Sequence, residues 1–587
     1  MKKQAENPAD APGPRKPVQF EESHSVAARI RKQLNYSLLG LTAMAILVGI
    51  VVAYGAYGFR LSYLLFDHWV HDPDRVSTGL AQVLLLATGG LLFGLVLKTL
   101  GWDRFRGPAH VIVAVQEHDG KLNVKNGAIT AACDALALGL GASVGRYGPA
   151  VQLGATVGSF LGRSIGLTRT GLRVLLACGV AAAISASFNA PIAGAIFAHE
   201  VIVGHFSLRA FAPITVSSVV AVGVTRYHGF EFVALKLSEE SFHLVIWEYP
   251  AYMLLGLVAA GIALLYMNGV LRTGEVANRL RMPIWLQPAV GGALAGVVAL
   301  WMPQVLGLGE QTISNILDPD TALSTYGIAV FAALCIAKLL ASVSCLGLRY
   351  PGGVFSPAIF MGAALGGLAG MAAPFLDYQI CVLVGMGALV ASVIGAPIAT
   401  ILIVFELTEN YQAATAVMLG VVAANALVTR FYARSIFHRQ ILRWGIDMDR
   451  PREQRIMAAR PVSEVMSMQY LGVAPECTVA ELRQRVHGHQ DEVYVVAGEE
   501  RRLLGILPMS RLVAAVDSQT AIELCHAPTV VLETSDDLWK GFLAIEEFVG
   551  YSMPVVHDRE SMRMAGAVSE GALVAAYRAA VHQVRED

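Results

Sequence analysis

From Ser37 to about Thr429 the chain alternates apolar runs with short polar breaks. Leu38–Gly58, Leu80–Leu100, Ala251–Val270, Ala329–Leu346 and Ala413–Val428 are long runs. Ala128–Ala142, Pro149–Leu161, Val174–Ser187, Pro191–Val203, Val354–Met371, Cys381–Val393 and Pro397–Phe405 are shorter or interrupted. Crossing a bilayer takes about 20 apolar residues in helix, so the short runs cannot all cross alone. Helices broken at membrane depth survive only where they line a protein cavity, and there they build a substrate site. The pattern therefore predicts a transport pathway rather than an anchor.

The flanks differ. Met1 to about Tyr36 is polar, with prolines and both charges, and carries no signal-peptide apolar region. Lys2, Lys3, Arg15, Lys16, Arg29, Arg31 and Lys32 precede the first span, which places this tail in the cytoplasm. It reads as disordered, ending in a short basic helix on the membrane surface. Beyond Gly445 the composition turns soluble. A charged linker (446–460) leads into two units of strand, helix and strand, about 461–518 and 519–585. In the first unit Val479–Val486 reads as helix and Val493–Val496 and Gly505–Leu507 as strands; in the second Leu538–Phe548 reads as helix, Met553–Val556 and Gly566–Val568 as strands.

Composition sharpens the class. Of 587 residues 55% are hydrophobic and 15% charged, where a soluble chain carries about 25% charged. A net charge of −1 gives no sign of a nucleic-acid partner. Seven cysteines are scattered without metal-ligand spacing, five of them in apolar segments, so packing or inert thiols are expected.

Within the membrane region Gly145-Arg146-Tyr147-Gly148-Pro149 stands out. Its glycines let the backbone approach something closely, and Pro149 suits the first turn of a helix. Such a helix starts inside the membrane with free N–H groups and its positive dipole end exposed, the makings of an anion site. An internal repeat accompanies it. Pro149-Ala150 with Gly154 and Gly158 recurs as Pro357-Ala358 with Gly362 and Gly366 at one constant interval. Ala190-Pro191-Ile192-Ala193 leading to Glu200 recurs as Ala396-Pro397-Ile398-Ala399 leading to Glu406. Two halves are implied, roughly 37–235 and 247–445, meeting at the Gly-rich breaks. An inverted relation is expected, because it brings both helix starts to the midplane.

Gly145–Pro149 resembles the GREGP motif of the CLC chloride channels and transporters. Ser187-Phe188-Asn189-Ala190-Pro191-Ile192-Ala193-Gly194 through Phe197 and Glu200 resembles the stretch that follows it, and Gly353-Val354-Phe355-Ser356-Pro357 the family's GxFxP motif. The resemblance covers about Leu38 to Gly445. It implies an all-α polytopic membrane protein built as an inverted repeat of tilted and broken helices, and no enzyme. It also implies a homodimer in the bacterial inner membrane, both termini cytoplasmic, with chloride or another small anion as permeant ligand. Backbone N–H groups of Val354, Phe355 and Gly148 would hold the anion, with Arg146 supplying positive field. Partial charges suit a permeating ion. The alternative use of such glycines is close helix packing.

Two departures carry the mechanism. The family's third motif residue is a glutamate that competes with chloride and carries protons; here it is Tyr147. A phenol with an ordinary pKa of about 10 stays neutral at working pH, so it cannot stand in for an anion. The family's second, cytoplasmic-side proton glutamate falls at Val201. With both stations gone, a passive chloride channel is expected. A proton-coupled chloride or fluoride antiporter using another acid, and a poorly conducting sensor acting through the C-terminal pair, are the alternatives.

The family's chloride-binding serine segment maps onto Phe105-Arg106-Gly107-Pro108-Ala109. Gly107 and Pro108 suit a helix start, while Arg106 reads equally as a pathway residue or as an interfacial snorkelling one. The inner gate falls at Ala433, with Tyr432 and Phe437 as neighbours. Glu200 has a twin in Glu406, and the family keeps it for helix packing and hydrogen bonding. His199 and His205 are six apart, whereas HExxH needs four, so no metal site is expected. The C-terminal units resemble a CBS-domain pair. Where nucleotide-binding pairs carry a Gly-x-x-Thr turn and an aspartate, this chain has Pro508 and Arg511, then Ser569 and Ala572. A bracing or modulatory role without nucleotide, and no cofactor elsewhere, follow from that.

Overall fold

The computed structural model describes residues 38–70, 79–229, 245–432, 434–486 and 492–586. The N-terminal tail and Ala433 lie outside them. Contacts divide the chain into two compact units, Met1–Gln440 and Ile441–Asp587.

The first unit is helical and repeats its own order. One half runs α1 (Leu38–Val70), α2 (Leu80–Leu100), α3 (Pro108–Gln116), α4 (Val124–Gly139), α5 (Tyr147–Ile165), α6 (Arg169–Phe188), α7 (Pro191–Phe197) and α8 (Leu208–Tyr227). The other runs α9 (Tyr249–Arg279), α10 (Gln287–Trp301), α11 (Glu310–Leu317), α12 (Pro319–Thr325), α13 (Ile328–Gly347), α14 (Phe355–Ala372), α15 (Tyr378–Ile394), α16 (Pro397–Thr408) and α17 (Tyr411–Phe431). Packing repeats as well. α5 lies on α6 as α14 lies on α15, α1 on α8 as α9 on α17, and α6 on α8 as α15 on α17. Across the halves α2 packs on α10 and α7 on α16. Among the described residues eight helices are long and apolar enough to cross a membrane; α3, α7, α11 and α16 are too short to cross alone.

Local chemistry sets the breaks. α6 closes on Asn189 and α15 on Gly395, both left-handed (φ 54° and 70°). Two residues later Pro191 and Pro397 open the next helices at their first positions. A left-handed cap followed by a proline at N1 ends one helix and starts another within three residues. α7 then relaxes into a π turn, Ala198–Val203. Small residues make the close contacts. A Cβ on Gly154 would lie 2.2 Å from the Gly179 carbonyl, and one on Gly366 would lie 2.2 Å from that of Cys381.

α18 (Ile436–Arg443) joins the units along the chain. The second unit holds two three-stranded sheets of one topology. β1 (Leu471–Val473) is parallel to β2 (Val493–Ala497), which is antiparallel to β3 (Arg502–Leu507). β4 (Leu532–Glu533), β5 (Ser552–Val556) and β6 (Met564–Ser569) repeat that order. Tyr494 Oη donates to the Ser552 carbonyl at 2.7 Å and ties the sheets together. The stretch expected to be a charged linker contains a helix, α19 (Arg452–Ala458). Its Met457 is buried with Leu532, Leu538 and Leu573 in the core of the second repeat. Met457 and its half-buried neighbour Ile456 dock it, too short an apolar stretch to stand out among the charges.

Candidate functional site: two helix starts, an aromatic stack and a buried arginine

Gly145 and Gly353 form an antiparallel bridge. The Gly145 amide donates to the Gly353 carbonyl at 2.7 Å, and the Gly353 amide donates back at 2.8 Å. The bridge presses the starts of α5 and α14 together, one from each half, with their chains running in opposite directions. No side chain fits there. A Cβ on Gly353 would sit 2.9 Å from the Gly148 nitrogen, and one on Gly145 2.8 Å from the Ser356 nitrogen. α3 begins beside them, with Pro108 Cδ 3.7 Å from where a Gly148 Cβ would stand. Three helix N-termini thus converge. Each first turn leaves amides without intrahelical acceptors, and Pro149 and Pro357 have none to offer. Donors and aligned dipoles of this kind suit an anion.

Tyr147 stands at the head of α5 and is 4% exposed. Its ring stacks on Phe188 at 4.1 Å with an 11° interplanar angle, and Phe355 tilts against both at 4.8 and 5.2 Å. These rings line a cavity of about 270 Å³. Its other walls include Glu310, Ile313, Ser356, Leu383, Met386, Thr400 and Ile403. Ser356, at the second position of α14, is buried and its Oγ makes no hydrogen bond among the described residues; Thr400 Oγ1 is likewise unpaired. A hydroxyl left unpaired at a cavity wall is costly unless something in the cavity accepts from it. In the sequence Ser356 stands out only as part of the Gly353–Pro357 motif. The available signal was a hydroxyl placed directly after the paired amides.

Arg146 is 3% exposed and its charge is paired. Nη1 pairs with Glu310 Oε1 at 2.6 Å and donates to Tyr63 Oη at 2.9 Å, while Nη2 donates to Tyr147 Oη at 3.2 Å. Its guanidinium carbon lies 5.1 Å from the Tyr147 ring centre. Glu310, whose charge opposes that of Arg146, is a partner from the other half that spacing in the sequence could not reveal. Val201 is buried in the π turn. His199 beside it stacks on Phe206 and Phe211. Among the described residues no cluster of His, Cys, Asp or Glu could hold a metal ion.

The remaining candidates scatter. Gly107 caps α3, and its amide donates to His110 Nδ1 at 3.3 Å. Arg106 turns its guanidinium over Trp102 at 5.2 Å. Tyr432 ends α17 under Arg439, 5.3 Å from the ring centre, and Phe437 is buried in α18. None of these lines the cavity.

Glu200 and Glu406 bind crosswise. Glu406 accepts the Ile192 and Ala193 amides at 2.9 and 2.7 Å, and Glu200 accepts those of Ile398 and Ala399 at 3.0 and 2.8 Å. Each carboxylate caps the broken helix of the other half. Hydrogen bonds to a charged group contribute about 1.5–3 kcal/mol, so Glu406→Gln and Glu200→Gln are each expected to lower the thermal midpoint in detergent by a few degrees. An unchanged midpoint would show that the caps bear no load.

Broken helices from two antiparallel halves, meeting start to start at a buried polar point, define a membrane transport protein. Residues 89–429 match the voltage gated chloride channel family model, and 462–518 match that of the CBS domain. The chain belongs to the voltage gated chloride channel family. It is 32% identical to a putative chloride channel protein ClcB-like of Ralstonia nicotianae over 69% of this chain and 97% of that protein. It is 29% identical to the voltage-gated ClC-type chloride channel ClcB of Escherichia coli over 68% and 97%. Solved structures with the same fold include a slow cyanobacterial Cl⁻/H⁺ antiporter (TM-score 0.61, 20% identity, 70% of this chain and 99% of that one). A eukaryotic CLC transporter matches at TM-score 0.60 with 18% identity, over 93% of this chain and 98% of that one.

Proposed function

We propose that this chain is a passive chloride channel, acting as a homodimer with one pathway per subunit in the bacterial inner membrane, both termini cytoplasmic. The observation that carries the reading is the stack of Tyr147 on Phe188 and Phe355 at the paired helix starts. A neutral aromatic side chain occupies the position where proton coupling needs an acid. Amides of Gly148, Val354 and Phe355 take the anion, joined by the Ser356 hydroxyl and by the α3 start at Gly107. Dipoles and neutral donors hold a permeating ion without trapping it. Arg146, bound to Glu310, serves as scaffold more than as charge. Val201, buried and apolar, offers no cytoplasmic proton station. Arg106, Tyr432 and Phe437 belong to the pathway only beyond the cavity at Tyr147, which none of them lines. The CBS pair braces or modulates without nucleotide. Arg511 fits that role, since its Nη1 donates to the Leu524 carbonyl at 3.1 Å.

The test is the reversal potential of chloride current in reconstituted liposomes under an imposed pH gradient. A passive channel reverses at the chloride potential whatever the gradient. A shift towards a fixed chloride-to-proton ratio overturns the proposal in favour of an antiporter. Absence of flux from both the native protein and a Tyr147→Ala variant overturns it in favour of a sensor.

A further inference from the structure

Glu310 has no part in the amide site, yet it touches the group that holds the gate. It is the first residue of α11, its side chain is 49% exposed, and it lines the same cavity as Tyr147. Its carboxylate reaches inward to a guanidinium whose own side chain is 4% exposed. That guanidinium also donates from Nη1 to Tyr63 and from Nη2 to Tyr147. The order is therefore carboxylate, guanidinium, phenol, running from a half-exposed side chain to a buried ring, both of which line the cavity. α11 itself packs on α14, the helix whose start forms half of the anion site.

We propose that Glu310 is the positioning residue of the gate: by fixing Arg146 it holds the Tyr147 hydroxyl and keeps the ring stacked across the pathway. This rests on Tyr147 being the gate. The physical ground is that a free guanidinium beside a stacked ring has many rotamers, and a fork held at one end by an ion pair has few. The carboxylate thus costs the open state a bond to a charged donor. Release of one such bond shifts a two-state population roughly tenfold.

The experiment is chloride efflux from liposomes for Glu310→Gln, Glu310→Asp, Tyr147→Phe, Tyr147→Ala and the double variants. Glu310→Gln is expected to raise efflux about tenfold, as is Tyr147→Phe, which loses the same hydroxyl bond. Their combination should add nothing, and Glu310→Gln in a Tyr147→Ala background should have no effect. Glu310→Asp keeps the charge but withdraws the carboxylate by one methylene, so it too should raise efflux. If instead only the charge-removing variant acts, and acts equally on Tyr147→Ala, Glu310 merely repels anions at the cavity and the positioning role fails. It fails as well if Glu310→Gln leaves efflux unchanged while Tyr147→Ala raises it. No rise in Tyr147→Ala would sink the gate itself, a separate result.

Discussion

Tyr147→Ala is expected to release chloride from liposomes about ten- to a hundredfold faster than the native protein, with no proton coupling gained. The native ring is held by two aromatic neighbours, at 4.1 and 4.8 Å, and by the Arg146 bond. Aromatic pairs contribute about 0.5–1.5 kcal/mol each beyond the area they bury. The cluster as a whole therefore holds a closed state by an amount worth one to two powers of ten. Alanine removes the stack, the hydroxyl bond and the bulk together. Coupling does not appear, because deleting a phenol adds no group that titrates near neutral pH. Efflux with a potassium ionophore reads the rate, and a pH-sensitive dye in the same liposomes reads proton movement. An unchanged rate would place Tyr147 outside the path.

Gly353→Ala is expected to cut flux to about a hundredth or less while the protein still folds as a membrane domain. The new methyl would meet Gly148 nitrogen at 2.9 Å, Gly145 oxygen at 3.1 Å and Gly148 Cα at 3.2 Å. All are backbone atoms within the reciprocal bridge, so none can swing aside. Overpacking of this kind costs about 1–3 kcal/mol and is relieved by parting the two helix starts, which ends their convergence on one ion. Gly261→Ala is the matched control. It lies within α9, away from the helix starts, and a Cβ there meets nothing within 4 Å, so it should fold and conduct nearly as the native protein does. Equal loss in both variants would mean that close approach at Gly353 is not what the site needs.

Much of the site was legible along the chain because it depends on backbone. Gly145, Gly148 and Gly353 could be singled out as places of close approach. Pro191 and Pro397 mark helix starts by rules that act over a few residues. The internal repeat, read from spacing alone, appears in the structure as matching packing of α1–α8 and α9–α17. Side-chain partners were not legible in this way. Arg146 was read as a source of field, and Glu310 went unremarked, because the two lie far apart in sequence and meet only through the contact between halves. Ser356 escaped for a related reason, since a serine after a glycine-valine-phenylalanine run looks like any helix-start serine until its hydroxyl is seen unpaired at a cavity wall. α19 was hidden because a single buried Met457 cannot register as a pattern among charged neighbours.

By itself the sequence determined the class, the two halves and the residue at the head of α5. These follow from hydropathy period, from proline and glycine stereochemistry, and from the identity of one side chain. The tertiary structure decided what that side chain meets. Contacts between halves put Phe188 and Phe355 against the Tyr147 ring and Glu310 against Arg146, and they crossed Glu200 and Glu406 onto each other's helices. Such pairings depend on three-dimensional closure of segments that share no local period. Gly145–Pro149 therefore specifies a helix start inside the membrane domain, and the fold turns its tyrosine into a stacked ring on a tethered arginine.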